Sequence, residues 1–278
     1  MSKGELLEIK RRIKSIKNTQ KITKAMGLVA TARFKRLRDV AEYTNEYFKK
    51  VSNTLERLYL EEVFDSAYFK ENKSDRDLYI IITSNTGLCG SYNSNVINFA
   101  KENIKKKDYL IVVGDKGYHF FKKKGYEIVL NLPSSKFPNY EDAKNIANVI
   151  NEYYLSQKVR NVYLIYTKFI SSVKQEVECL KLLPCKKNKT KSDILLEPSK
   201  IDVFEFCFKI YLEILLYNSI SNSLASEFAI RMTAMDSATR NSQELLDKLQ
   251  IKFNRIRQSI ITQEVTEIVS GAEALNSN

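Results

Sequence analysis

The stretch from Ile210 to Leu275 reads IYLEILLYNSISNSLASEFAIRMTAMDSATRNSQELLDKLQIKFNRIRQSIITQEVTEIVSGAEAL. It contains no proline, and its only glycine is Gly271. Apolar and small residues recur at alternating steps of four and three, which is the heptad seam of a coiled-coil helix. The seam positions are Ile210, Ile214, Tyr217, Ser221, Leu224, Phe228, Arg231, Met235, Ala238, Ser242, Leu245 and Leu249. A helix of this length would span about 100 Å, so most of it must lie against another helix or inside another protein.

Beyond Leu249 the spacing of the apolar residues changes. The seam slips through Phe253, Ile256 and Ile260, which predicts a local unwinding of the supercoil. A second run then follows at Ile261, Val265, Ile268, Ala272 and Leu275.

The other end of the chain carries a matching seam. Its positions alternate by three and four without a break, which predicts a second long helix with a left-handed supercoil. They are Leu6, Ile9, Ile13, Ile16, Gln20, Thr23, Gly27, Ala30, Phe34, Leu37, Ala41, Thr44, Phe48, Val51, Leu55 and Leu58. Because a folded segment separates the two helices, they can pack antiparallel within one chain and need no second copy. A glycine in mid-helix costs about 1 kcal/mol, so Gly27 is either a weak point or a point of close contact.

Positive charge is concentrated on the N-terminal helix. Residues 1–60 hold 15 Lys and Arg against 6 Asp and Glu, whereas residues 204–278 hold 7 against 9. From Ile9 to Arg38 there are 11 basic residues and no acidic one. A solvated helix face of one sign repels itself and lacks the usual pairs at four-residue spacing, so an anionic partner is the favoured interpretation.

The middle of the chain alternates strand and helix patterns. This alternation predicts a mostly parallel, Rossmann-like α/β domain inserted between the two coiled-coil helices. Strands are predicted at 78–83, 109–113, 127–130, 161–167 and 175–182, and helices at 94–106, after Gly114 and at 140–157. The polar, aperiodic segment 64–76 is interpreted as a linker between domains, and the Lys-rich segment 185–200 as a surface loop. Ser199, with Asp202 three residues on, is predicted to cap the final helix. The predicted domains are 1–62, 77–200 and 201–278.

Catalytic groups are hard to find in this domain. The loop SNTGLCGSYN (84–93) could cradle a phosphate through Gly87 and Gly90, but it matches no nucleotide-binding motif, and turn-forming glycines explain it better. His119 is the only histidine and is interpreted as a surface or packing residue, while Asp115 with Lys116 does not define a reaction. We therefore predict no catalytic residues, no cofactor and no metal.

Composition bounds the class of protein. At 278 residues with 44% hydrophobic residues the chain can form a core, and no apolar run predicts a membrane span or a signal peptide. Cysteines that form no C-x-x-C pair are expected to be reduced thiols of a cytosolic protein. They are Cys89, Cys179, Cys185 and Cys207.

Several motifs resemble one known family. The motifs are SIKNTQKITKAM (15–26), GLCG (87–90), LASEFAIRMTAMDSAT (224–239) and RQSIITQEVTEIVSGAEAL (257–275). In the order of these motifs and in its total length, the chain resembles the gamma subunit of F-type ATP synthases. The resemblance implies a central rotor shaft of paired terminal helices, which couples ion translocation through the membrane sector to ATP synthesis or hydrolysis at the beta-subunit catalytic sites. It implies no nucleotide site in this chain.

The resemblance also implies partners and contact residues. The expected partners are the alpha and beta subunits of the catalytic ring, the epsilon subunit and the c-ring, with one copy of the chain per complex, no nucleic acid, and a peripheral position on the cytoplasmic face of a bacterial plasma membrane. Residues matching the family's rotor–stator coupling contacts are Lys21, Lys24, Met26, Arg231, Arg257, Gln258, Thr262 and Glu264.

Two positions depart from the family pattern. Asn85 stands where Asp is usual before the GLCG loop, and Gly27-Leu28 stands where Glu-Met is usual. The first departure leaves the contacts of the loop open, and the second removes an acidic residue from the coupling region. The sequence leaves proton or sodium coupling, c-ring size and direction of operation open.

Two alternatives come from other classes of protein. A basic coiled coil could track nucleic-acid phosphates, although its basic residues lie all round the helix and no base-reading module is recognisable. A small-molecule enzyme would rest on the GLCG loop alone. Copurification with alpha and beta subunits separates a rotor subunit from both.

Overall fold

A computed structural model describes residues 3–58, 61–186, 197 and 199–276 of the chain. Two long helices, α1 (Lys3–Glu56) and α5 (Lys200–Asn276), bracket a central domain. Between them lie β1 (Leu78–Ile82), α2 (Tyr92–Asn103), β2 (Tyr109–Val113), α3 (Asp115–Lys123), β3 (Glu127–Leu132), α4 (Tyr140–Leu155), β4 (Val162–Phe169) and β5 (Gln175–Leu183). The predicted order of strands and helices is confirmed, with differences of a few residues at their ends.

The chain divides into two compact units. The helical unit comprises residues 1–29 and 232–278, and the sheet unit comprises residues 30–231. Both long helices contribute to each unit, so the pairing of α1 with α5 can be described in each of them separately.

In the helical unit, α1 and α5 pack antiparallel through an apolar cluster and polar contacts. Ile9, Leu249 and Ile256 are buried in that cluster, with Leu6, Ile13, Ile16, Phe253 and Ile260 packed against it. Farther along the pair, Gln20 Nε2 donates to Gln243 Oε1 at 2.9 Å, and the hydroxyls of Thr23 and Thr239 are 2.9 Å apart. Because the numbers rise along one helix as they fall along the other, the predicted antiparallel pairing is confirmed.

Gly27 is a point of close contact between the two helices. A methyl group added at Gly27 would lie 3.4 Å from Cβ of Met235. The small side chains in the middle of the seam therefore bring the two backbones close together, as its composition suggested.

In the sheet unit, the two helices pair through aromatic rings and an asparagine pair. The rings of Phe48 and Tyr211 are 5.6 Å apart. Asn222 Nδ2 donates to Asn45 Oδ1 at 3.0 Å, and Asn45 Nδ2 donates in return to Asn222 Oδ1 at 3.4 Å. All sixteen positions of the predicted N-terminal seam are buried or half-buried, including Leu58, which follows the end of α1 at Glu56.

The sheet has the strand order β3-β2-β1-β4-β5 and is parallel except for β5, which runs antiparallel to β4. Strand β1 is buried at every position, as expected of a central strand covered on both faces. One face carries a core cluster with helices α2 and α3, and it contains Tyr79, Ile81, Val96, Ala100, Ile104, Leu110, Val112, Phe121 and Ile165.

The segment predicted as a polar linker, 64–76, packs into the sheet unit instead. Two short 3₁₀ turns, Glu61–Asp65 and Ala67–Phe69, bury Tyr68 and Phe69. Their rings lie 4.5 Å from Phe208 and 5.1 Å from Phe204 of α5. The linker interpretation missed this because aromatic residues spaced for a 3₁₀ turn show neither helical nor strand periodicity.

The start of α5 agrees with its predicted cap. The backbone N–H of Asp202 donates to Ser199 Oγ at 3.1 Å, and Ser199 Oγ donates to the Asp202 carboxylate at 2.6 Å. Most of the loop predicted at 185–200 lies outside the described residues.

Candidate functional site

The outer surface of the helical unit holds most of the predicted contact residues. Lys21 and Lys24 are exposed because these positions fall outside the α1 seam, and Met26, which precedes the seam position Gly27, is half-buried. On α5, four predicted contact residues are exposed: Arg257, Gln258, Thr262 and Glu264.

The C-terminal part of α5 differs from its prediction. The second apolar run was expected to form a seam, but Ile261 is 51% exposed, Val265 53% and Ile268 72%. The apolar cluster between α1 and α5 ends at Ile260, so these side chains belong to a length of helix past the pairing. Ala272 is also exposed, while the side chain of Leu275 lies outside the described residues.

The first seam of α5 also shifts earlier than expected. Leu245 was predicted in the seam and is 38% exposed, whereas Leu246 is 7% exposed. The inward-facing position therefore moves by one residue, from Leu245 to Leu246, while Leu249 stays buried as predicted. A straight helix of 3.6 residues per turn drifts away from a strict seven-residue repeat, so such a shift restores the inward orientation of the apolar face.

Arg231 lies inside the sheet unit rather than on a surface. It is 5% exposed, forms an ion pair with buried Glu227 one turn earlier, and stacks 4.8 Å from the centroid of Phe228. Its second terminal nitrogen donates to the carbonyl oxygens of Thr86 and Gly87, each at 3.3 Å, and to Thr86 Oγ1 at 3.2 Å. The guanidinium thus ties α5 to the loop that follows β1.

The Glu227 carboxyl is buried beside two arginines. Burial raises the pKa of the Glu227 carboxyl above its usual value, and the positive charges of Arg231 and Arg33 oppose that rise. Arg33 also lies over the Phe228 ring, with its guanidinium 5.5 Å from the ring centroid. The Glu227 carboxyl and the two arginines therefore lie around one ring, with Glu227 and Arg231 buried and Arg33 half-buried.

The TGLCG loop (86–90) has an unusual backbone. Leu88 has φ 62° and Gly90 has φ 53°, and a leucine rarely adopts such a conformation. Cys89 is buried, while the side chain of Leu88 is 61% exposed. Since Arg231 holds the carbonyls on one side of the loop, the strained turn presents an apolar side chain outward.

The hydrogen bonds of the Asn85 side chain give a reason for an asparagine at this position. Its Oδ1 accepts from the backbone N–H of Ser134 at 2.8 Å and of Asp115 at 3.3 Å, while its Nδ2 donates to the Ser134 carbonyl at 2.7 Å. An aspartate could accept the first two hydrogen bonds but could not donate the third. The side chain ties three loops together at the carboxyl end of the sheet.

The N-terminus of α3, near the same edge, is packed against Thr83, which directly follows β1. The N–H of Gly117 donates to Thr83 Oγ1 at 3.0 Å. Gly114 has φ 95°, and a Cβ there would lie 2.3 Å from the Thr83 carbonyl oxygen. These contacts are the structural reason for the glycines of the Gly114-Asp115-Lys116-Gly117 turn. His119 is exposed on α3, as expected.

Sequence reasoning missed the buried network of Arg231, Glu227 and Thr86. Its one available signal was an arginine at a seam position, where a heptad pattern expects an apolar residue.

No helix among the described residues combines the length and apolarity that a bilayer-spanning segment needs.

Comparison with known proteins places these features in a family. The family model described as ATP synthase matches residues 5–275. The chain is 43% identical over 284 residues to the ATP synthase gamma chain of Clostridium acetobutylicum, covering 99% of this chain and 100% of that protein.

Solved structures share the fold. A chain of the Euglena gracilis mitochondrial ATP synthase (OSCP/F1/c-ring, rotational state 3) matches with TM-score 0.78 at 20% identity, covering 99% of this chain and 96% of that one. A chain from the rotor of the same enzyme in rotational state 1 matches with TM-score 0.73 at 18% identity, covering 94% and 100%. At this low identity the two structures show the long-helix and inserted-sheet fold.

Proposed function

The chain belongs to the family of ATP synthase gamma chains, and from this premise we propose how its surfaces serve the complex. It is the central stalk, or rotor, subunit of an F-type ATP synthase. It couples ion translocation through the membrane sector to ATP synthesis or hydrolysis at the beta-subunit catalytic sites by rotation. It is itself a non-catalytic subunit of a complex that includes the alpha and beta subunits and the c-ring.

The single observation that carries the proposal is the end of the pairing on α5. From Ile261 onward the helix continues to Asn276 without the apolar cluster it shares with α1, and exposes Ile261, Val265 and Ile268. An isolated amphipathic helix of this length is marginal in water. A surrounding ring of subunits would cover these side chains and stabilise the helix.

We assign the coupling contacts to the exposed surface of the helical unit. Lys21 and Lys24 would attract acidic groups of the ring, beside the half-buried Met26. On α5 the contacts would be Arg257, Gln258, Thr262 and Glu264, whose exposed side chains can form hydrogen bonds and ion pairs. A rotating contact should attract moderately at every step and hold too tightly at none.

Arg231 is assigned a different place in this proposal. A side chain that is 5% exposed has little surface to offer the ring. Its hydrogen bonds to Thr86 and Gly87 make it a positioning residue, which fixes the loop that exposes Leu88. Its effect on coupling would then act through that loop.

The finer points of assembly belong to the same proposal. We expect one copy of the chain per complex, an epsilon subunit bound beside it, and a peripheral position on the cytoplasmic side of a bacterial plasma membrane. Copurification of the tagged chain with the other subunits, followed by mass analysis of the intact complex, measures copy number and the presence of epsilon.

Met26→Lys tests the coupling surface. The added charge next to Lys21 and Lys24 contributes an exposed ion pair worth about 0.2–1 kcal/mol, which must be broken in each turn. We expect assembly to be retained while ATP-driven ion pumping in membrane vesicles falls relative to ATP hydrolysis.

Met26→Leu is the matched control, because it preserves size and apolarity, and we expect it to pump like the parent. Gln258→Leu and Thr262→Val should also assemble and pump less, since they remove hydrogen-bonding groups. If all three polar and charge variants pump like the parent at low and high salt, these residues are not coupling contacts.

A further inference from the structure

Two lysine triplets meet at one edge of the sheet. Strands β2 and β3 are parallel neighbours, with Tyr109 opposite Glu127, so the turns that precede them are adjacent. The first turn carries Lys105-Lys106-Lys107 and the second follows Lys122-Lys123-Lys124. Lys106 Nζ donates to the carbonyl oxygen of Lys124 and lies 4.0 Å from the Tyr126 ring centroid. The two triplets therefore form one surface.

Most of this charge has no counterpart within the chain. Lys107 pairs with Asp75 at 2.6 Å, and Arg76 pairs with Glu127 at 3.0 Å. Five exposed lysines of the triplets remain, and Lys101 in the last turn of α2 adds a sixth; in the portion of the chain that the structure describes none of the six forms an ion pair. We call them the lysine patch: Lys101, Lys105, Lys106, Lys122, Lys123 and Lys124. Glu102 is an exposed carboxylate of the same segment. Its single negative charge is outnumbered by the six lysines, so the surface stays strongly positive.

Helix dipoles account for only part of the patch. Helices α2 and α3 end at Asn103 and Lys123, and a lysine in the last turn of a helix is stabilised by the partial negative charge there. That effect fades within one turn, whereas Lys105, Lys106 and Lys124 lie beyond the last helical residue. Six like charges in two adjacent turns and the helix ends that lead into them also repel one another, which favours an anionic partner.

Aromatic side chains lie among the lysines. Lys122 Nζ donates to the Tyr118 hydroxyl at 2.7 Å, and the rings of Tyr118 and Tyr126 are half-buried. A ring with an apolar body and a polar tip suits the boundary between water and lipid, where tyrosine is enriched.

We propose that the lysine patch binds anionic lipid headgroups at the surface of the membrane that carries the complex. Basic side chains near an anionic membrane act additively, and each changes the affinity about fivefold. The membrane setting rests on the proposed function, whereas the headgroup binding is a property of this surface and can fail or succeed separately.

The test compares two triple variants of the full chain. Lys105→Gln, Lys123→Gln and Lys124→Gln together remove three patch charges whose side chains make no described contact that holds the fold. The control, Lys136→Gln with Lys144→Gln and Lys181→Gln, removes three exposed lysines elsewhere in the sheet unit. Both variants lose the same net charge, and circular dichroism melts should match the parent.

Binding is measured by flotation with vesicles of equimolar phosphatidylcholine and phosphatidylglycerol, and with phosphatidylcholine alone. We expect the patch variant to bind the anionic vesicles about 100-fold more weakly than the parent, and the control less than tenfold more weakly. Binding should weaken with salt, should be absent on neutral vesicles, and should return when the same three positions carry arginine.

Any of four results would overturn the proposal. Equal losses in the two variants would mean that only net charge matters, and equal binding of the parent to neutral vesicles would remove the role of headgroup charge. Failure of the patch variant alone to copurify with alpha and beta subunits would make the patch a protein interface. Normal copurification with no vesicle binding would refute lipid binding and leave the rotor role intact.

Discussion

Helix α1 keeps one seam register in both units, yet the seam is buried to very different depths. In the sheet unit, Leu37 and Ala41 are 0% exposed. In the helical unit, Leu6, Ile13 and Ile16 are only half-buried, although they occupy equivalent positions of the same repeat. A heptad pattern shows which side of a helix faces inward, and further layers of structure decide how deeply that side is buried.

The further layer in the sheet unit is the sheet and its connections. From Leu212 to Ala229 nearly every residue of α5 is buried. In the same unit the backbone N–H of Thr167 on β4 donates to Ser223 Oγ at 3.3 Å, and the Phe34 ring lies 5.8 Å from Phe169. In the helical unit, the described apolar packing of each helix is against the other helix. Equivalent substitutions in the two units should therefore differ in cost.

The largest difference is expected for an arginine–carboxylate pair with the same four-residue spacing. Arg231 and Glu227 are buried in the sheet unit, whereas Arg240 and Asp236 form an exposed pair at 2.7 Å in the helical unit. Arg231→Met removes the ion-pair partner of the buried Glu227 carboxyl, leaving only the half-buried Arg33 nearby, and should lower the free energy of unfolding by about 3–5 kcal/mol. Arg240→Met should lower it by at most about 1 kcal/mol. Urea denaturation of each variant measures both values.

A double variant isolates the reason for the loss. Arg231→Met with Glu227→Met removes both charges, and it should recover most of the stability lost in the single variant. Equal costs for Arg231→Met and Arg240→Met would contradict the proposed difference between the two units.

The next effect concerns leucines of the α1 seam. Leu37→Ala empties a fully buried site and should cost about 2–5 kcal/mol, whereas Leu6→Ala removes a half-buried side chain and should cost about 1 kcal/mol. Both changes remove the same atoms, so the ratio of the two costs reports the burial depth. Leu28→Ala, at a position 67% exposed, serves as the surface control in the same denaturation series.

A smaller effect is expected at the loop junction of the sheet unit. Asn85→Asp keeps the two accepted hydrogen bonds but places a carboxylate oxygen against the Ser134 carbonyl, which should cost about 1–3 kcal/mol at neutral pH. Asn95→Asp, at an exposed position on α2, is the control and should be nearly neutral. An Asn85→Asp protein as stable as the parent would mean that the third hydrogen bond contributes nothing.

Periodic features of the fold were predictable from sequence, because periodicity reports local geometry. The α1 seam, the strand order along the chain and the Ser199–Asp202 cap all depend on residues close to one another in the sequence. The packing of Tyr68 against Phe208 was not predictable, since it joins residues that are far apart in sequence and belong to no repeat.

The candidate site was predicted unevenly for the same reason. Exposure of Lys21 and Lys24 follows from their positions relative to the seam. Arg231 could not be understood from α5 alone, because its hydrogen-bonding partners include the loop residues Thr86 and Gly87 as well as Glu227 on its own helix. The role of Asn85 likewise depends on its hydrogen bonds to Ser134, which lies on a loop that comes near only when the sheet has folded.

The asparagine pair between α1 and α5 has a consequence for how force is borne. Two heptad seams can in principle slide past each other by seven residues, about 10 Å, and still match apolar faces. Such a slip would separate Asn45 from Asn222, which is 2% exposed, and leave the Asn222 amide only its hydrogen bonds to Asn218 one turn earlier on α5. The amide pair thus opposes sliding of one helix along the other. A twisting load on this pair of helices is then carried as elastic deformation of the helices rather than lost by sliding.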